Sequence, residues 1–149
     1  MRIAIGSDHA GFDLKSEILS FLCMEGCDIQ DMGTFAPDSV DYPDYAHLVV
    51  REMLEGRADL GILICGTGIG MSITANRYPG IRAALCTDAF MARLSREHND
   101  ANVLCLGARV VGVGLALDIV NAWINASFAG GRHQRRVEKI EREADWQLA

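Results

Sequence analysis

The chain has 149 residues, half of them hydrophobic, and a formal net charge of −6. That length buries one sizeable core and is short for two, so a single domain over residues 1–149 is expected. The acidic balance argues against a general nucleic-acid binder, and no apolar run reaches the roughly 18 residues that span a bilayer, so neither a nucleic-acid nor a membrane partner is expected.

The N-terminus enters a strand-like run directly, without the apolar stretch and small-residue cleavage site of an export signal. A first strand is predicted over residues 2–7. A helix over 12–25 follows, in which Leu14, Ile18 and Leu22 recur at helical spacing and Gly26 provides the stop. A second strand over 27–32 leads into residues 33–43, rich in Gly, Pro, Asp, Ser and Thr and read as a loop. Helical periodicity resumes over 45–55 through Ala46, Val49, Val50 and Met53.

Residues 60–65, Leu-Gly-Ile-Leu-Ile-Cys, are apolar without alternation, the pattern of a central strand buried on both faces of a parallel sheet. A small-residue helix ending near 76, a strand over 82–86, a helix over 88–96, a strand over 102–106 and a helix over 114–125 complete five strand–helix repeats. Such alternation predicts a single-domain α/β fold, a Rossmann-like three-layer αβα sandwich with a five-stranded parallel sheet whose strand order stays open. Beyond Arg132, Val137, Ile140 and Ala144 recur at helical spacing up to Trp146, predicting an extra C-terminal helix able to pack on a partner subunit.

The five cysteines are odd in number and form no Cys-x-x-Cys pair, which fits a reducing, cytoplasmic setting. Cys23, Cys27, Cys86 and Cys105 lie in apolar runs or near predicted helix ends, the setting of a small buried hydrophobe. Cys65 differs, because it ends the central strand. In an open parallel sheet, ligands bind beyond the carboxyl ends of the strands.

There the first strand ends in Ser7-Asp8-His9-Ala10-Gly11 and the central one in Cys65-Gly66-Thr67-Gly68-Ile69-Gly70. The glycines let backbone N–H groups approach a ligand, and the following helix points its positive end at the same spot, making an anion or oxyanion cradle that also favours a thiolate. A simple strand-to-helix turn with a buried cysteine would use the same residues. The spacing departs from Gly-x-Gly-x-x-Gly and lacks the P-loop Lys-Ser/Thr, which disfavours a nucleotide. His9 beside Asp8, and His98 beside Asn99, are expected to converge with Cys65, although Asp8 is equally suited to capping the first helix. Arg132 and Arg136, four apart, form a fork suited to phosphate, with Arg109 a third candidate.

In combination, Gly6-Ser7-Asp8-His9-Ala10-Gly11, Asp41-Tyr42-Pro43, Ile64-Cys65-Gly66-Thr67-Gly68-Ile69-Gly70, Ser95-Arg96-Glu97-His98-Asn99-Asp100 and Gly130-Gly131-Arg132-His133 resemble the B-type ribose-5-phosphate isomerases over almost the whole chain. These are related to the allose-6-phosphate and galactose-6-phosphate isomerases. The resemblance implies a cofactor-free, metal-free aldose–ketose isomerisation through a cis-enediolate, interconverting ribose 5-phosphate and ribulose 5-phosphate.

Cys65 is implied as the base. A glutamate replaces it in one branch, at the position of Met71, which cannot carry a proton here. Backbone N–H groups of Gly66, Thr67, Gly68, Ile69 and Gly70 are implied to hold the enediolate oxygen, and Thr67 and His98 to assist ring opening, His98 as acid. Asp8, Tyr42 and Asn99 are implied to hold sugar hydroxyls, and His9, Arg109, Arg132 and Arg136 the phosphate. The family's sites lie between subunits, which implies a homodimer or a tetramer of dimers.

Overall fold

The structure, a computed structural model, describes residues 1–141. Five parallel strands, β1 (Arg2–Ser7), β2 (Asp28–Asp31), β3 (Leu60–Cys65), β4 (Ala83–Leu85) and β5 (Val103–Gly107), form one sheet in the order β2-β1-β3-β5-β4. All six residues of β3 are buried, as its unbroken apolar run predicts for a strand covered on both faces. Six helices flank the sheet: α1 (Phe12–Met24), α2 (Tyr42–Leu54), α3 (Ile69–Ala75), α4 (Ala89–Asn99), α5 (Val113–Ile124) and α6 (Gln134–Glu141). The αβα sandwich is therefore observed.

Two cores lie on opposite sheet faces. Leu14, Ile18 and Leu22 of α1, Ala92 of α4, and Ile119, Val120 and Trp123 of α5 pack against Ile3, Ile5, Ile62, Ile64 and Leu104 on one side. Ala46, Val49 and Val50 of α2 and Met71 and Ala75 of α3 pack against Ala4, Leu63, Cys65, Val103 and Cys105 on the other. The connection through α1 leads outward from β1 to β2, and the one through α2 returns past β1 to β3. The carboxyl ends of β1 and β3 thus flank a topological switch point, where ligands bind in open α/β sheets.

Some boundaries differ from those predicted. α2 begins at Tyr42, inside the stretch read as a loop, rather than at 45, because Pro43 in its first turn supplies a helical φ and needs no partner for the N–H it lacks. α4 runs three residues beyond 96, ending at Asn99 with Asp100 as a left-handed cap (φ 48°). Cys23 is exposed on α1 and Cys27 half-buried, so only Cys65, Cys86 and Cys105 behave as buried thiols. The C-terminal helix is present from Gln134 to Glu141; the predicted continuation through Ala144 and Trp146 lies outside the described residues. Among the described residues, no helix is long and apolar enough to cross a membrane.

Candidate active site

Beyond the carboxyl ends of β1 and β3, Asp8 and Cys65 stand on adjacent strands, with the Asp8 N–H donating to the Ile64 carbonyl (3.1 Å). Asp8 is buried, and its Oδ1 accepts from the N–H groups of Ala10 (2.9 Å) and Gly11 (3.1 Å). It therefore caps the short 3-10 turn His9–Gly11 rather than α1 itself, whose N-cap is Gly11, and among the described residues no protein donor bonds its Oδ2. His9 is held by the loop after β2: the Val40 N–H donates to its Nδ1 (3.2 Å). The Val40 carbonyl also lies 3.3 Å from Nδ1, so both backbone groups of Val40 hold this ring nitrogen and leave Nε2 pointing away from them.

Cys65 is 5% exposed, and the Gly68 N–H donates to its Sγ at 3.1 Å, a contact that becomes charge-assisted when the sulfur is a thiolate. Burial raises the other two buried thiols, Cys86 up to about 11 and Cys105 well above its ordinary value. Neither supplies a base at neutral pH. Gly68 is left-handed (φ 77°), which turns the chain so that α3 starts beneath the sulfur. The first N–H groups of α3 face outward without intrahelical partners, as at any helix start, and the Ile69 N–H meets the Thr67 hydroxyl (3.3 Å).

Two further side chains reach this turn. The Tyr42 ring lies so close to Gly70 that a Cβ there would sit 2.6 Å from it, and the Arg109 guanidinium lies 3.4 Å from the corresponding point on Gly66. Arg109 is fixed from below by its own N–H, which donates to the Gly66 carbonyl (3.0 Å). Asp8, His9, Tyr42, Cys65, Thr67 and Arg109, with the loop N–H groups, thus share one end of the sheet.

His98, Asn99, Arg132 and Arg136 do not join them. α4 runs antiparallel to the strands, so His98 and Asn99 lie at the amino end, where Arg82 Nε donates to the Asp100 carbonyl (2.9 Å) and the Gly61 N–H to the Asn102 carbonyl (2.9 Å). The segment after α5 is tied to the same end by the Ala129 N–H, which donates to the Glu97 carbonyl (2.9 Å). There the His98 and His133 rings stack, centroids 4.1 Å apart and planes 7° apart, and Arg132 Nε donates to His133 Nε2 (3.4 Å). A cavity of about 420 Å3 borders Asn99 on this side, with Arg82 and Ser95 in its wall.

The expected convergence of His9, Cys65 and His98 within one chain is therefore corrected: about 20 Å of β3, six residues at about 3.3 Å each, separates the two ends. The residues fall into two groups, one at each end of the sheet. The sequence reading placed His133 in a motif without a role and passed over Val40, whose contribution is made by its backbone and leaves no trace in residue type.

The sequence model of the ribose/galactose isomerase family matches residues 3–140. Ribose-5-phosphate isomerase B of Escherichia coli (strain K12) is 52% identical over 139 residues, 93% of each chain. D-erythrulose-4-phosphate isomerase of Pectobacterium atrosepticum is 44% identical over 142 residues, covering 94% of this chain and 93% of the relative. The solved structure of Clostridium thermocellum ribose-5-phosphate isomerase B superposes with a TM-score of 0.93 at 58% identity, covering 95% of both chains. With motifs, fold and full-length similarity in agreement, the chain belongs to the ribose/galactose isomerase family, on its B-type ribose-5-phosphate isomerase branch, and is a sugar-phosphate isomerase.

Proposed function

We propose that the chain, acting as one catalytic unit over residues 1–149, interconverts D-ribose 5-phosphate and D-ribulose 5-phosphate, the isomerisation of the non-oxidative pentose phosphate pathway in the cytoplasm. The observation that carries this reading is the buried Cys65 sulfur at the switch point, 3.1 Å from the Gly68 N–H and flanked by the Asp8–His9 pair.

The closed furanose opens when His98 protonates the ring oxygen and the C1 hydroxyl gives up its proton, with Thr67 assisting. The Cys65 thiolate then removes the C2 proton. The C–H electron pair becomes the C1–C2 double bond, and the C1 oxygen takes the charge, facing the N–H groups of Gly66, Thr67, Gly68, Ile69 and Gly70. Each such donor contributes about 3 kcal/mol when the charge develops in place. Return of the proton from Cys65 to C1, and transfer of the C2 hydroxyl proton to O1, gives the ketose.

Asp8, Tyr42 and Asn99 bind sugar hydroxyls, while His9, Arg109, Arg132 and Arg136 hold the phosphate. Binding energy gathered at the phosphate then orients C1 and C2 against the sulfur. Because the two groups lie at opposite ends of the sheet, the working unit is a homodimer, or a tetramer of dimers, in which a two-fold axis brings the Cys65 end of one chain to the His98 end of its partner.

The same residues would process a longer or shorter chain, and the similarity to a tetrulose-phosphate isomerase keeps that second reading open. Steady-state turnover on ribose 5-phosphate, allose 6-phosphate, galactose 6-phosphate and erythrulose 4-phosphate, with EDTA throughout, decides. Fastest turnover on the pentose, undiminished by EDTA, is expected. Preference for another sugar changes the substrate and keeps the mechanism; no turnover on any leaves a sugar-phosphate sensor.

A further inference from the structure

The proposed acid and the proposed phosphate fork share a neighbour that the reaction does not use. His133 is 8% exposed, with its ring stacked nearly parallel on His98, and its Nε2 lies 3.4 Å from Arg132 Nε. An arginine only donates, so Nε2 must offer a lone pair, and His133 is then a neutral imidazole with its proton on Nδ1. Loss of hydration, followed by the charges of His98, Arg132 and Arg136, lowers its proton affinity in the same direction. A neutral ring is the partner that lets the stacked His98 carry a proton, because two imidazoliums face to face would repel.

We propose that His133 is a positioning residue: its ring face orients His98, and its Nε2 orients the Arg132 guanidinium, so that one side chain registers the ring-opening acid against the phosphate fork. This rests on the isomerase reading above, in which His98 acts on the ring oxygen and Arg132 on the phosphate. The geometry suits that task. His133 closes the 3-10 turn Gly131–His133 that leads into α6, its N–H donating to the Gly130 carbonyl (3.0 Å), while His98 lies in the last turn of α4, so the stack joins two elements far apart in the chain.

The two functions separate in two variants. His133→Phe keeps an aromatic face and loses the acceptor; His133→Asn keeps an acceptor and loses the face. With ribose 5-phosphate as substrate and inorganic phosphate as competitive inhibitor, His133→Phe is expected to hold kcat within about twofold while KM and the phosphate Ki rise roughly tenfold. His133→Asn is expected to do the reverse, lowering kcat roughly tenfold with Ki little changed. Melting curves check that both variants fold. Parallel changes in kcat and Ki in both variants, or wild-type behaviour of both, would overturn the proposal. An inactive wild-type protein would instead remove the isomerase reading on which it rests, and the two failures are distinguishable by that control.

Discussion

Five cysteines compete for the role of base, and their surroundings separate them. Cys23 and Cys27 lie away from the carboxyl ends of the strands, and burial holds Cys86 and Cys105 in the thiol form. Cys65 alone sits beside a glycine-rich turn with an N–H aimed at its sulfur. Cys65→Ala should therefore lower kcat by roughly 10³-fold or more, within the range a positioned base contributes. The Ki of inorganic phosphate should change less than about twofold, because the proposed phosphate ligands are other side chains. Turnover near that of the native chain would remove Cys65 from the mechanism. At this scale the sequence was informative where a side chain's place follows from the end of a strand, as at Cys65 and Asp8. It was silent where the backbone acts, as at Val40, or where a partner lies 35 positions away, as His98 does from His133.

Elements were legible where their hydrophobic period was long, and boundaries were lost where a polar residue continues a helix. β3 emerged residue for residue from its apolar run, whereas α4 continues through Glu97, His98 and Asn99, which carry no apolar signal. That extension matters, because it carries His98 on the helix, about 3 Å further toward the amino end of the sheet. The junction of β3 with α3 is the reverse case, fixed by crowding. A Cβ on Gly68 would lie 2.5 Å from Leu85 Cδ1 and 2.9 Å from the Leu106 carbonyl carbon, at a φ of 77°. Gly68→Ala should therefore cost about 2–4 kcal/mol, adding left-handed strain to overpacking, and lower Tm by roughly 10 °C. Gly80→Ala is the control, since Gly80 has a φ of 81° with nothing within 4 Å of the added carbon. It should cost only the strain, about 1–2 kcal/mol, and leave turnover intact. Equal destabilisation in the two variants would show that crowding at the glycine-rich turn contributes nothing.

For the whole molecule, the strand order was beyond the reach of periodicity, because crossovers of similar length can place β4 on either side of β5. The observed order β2-β1-β3-β5-β4 puts the switch point at β1 and β3, and the antiparallel run of α4 puts His98 at the other end. One chain cannot close that gap, since both ends are anchored to the same rigid sheet. The proposed two-fold dimer closes it twice. Cys65→Ala and His98→Gln chains, each inactive alone on ribose 5-phosphate, should then complement when co-expressed with different tags. In the mixed dimer, one site combines both defects and the other combines native Cys65 from one chain with native His98 from its partner. Random pairing makes half the dimers mixed, so about one quarter of all sites should be native and specific activity should recover to about that fraction. Purification through both tags should raise the recovery to about one half, because every remaining dimer then carries one intact site. If instead Cys65 and His98 acted within the same chain, each subunit would keep its own defect, and no mixture would regain activity.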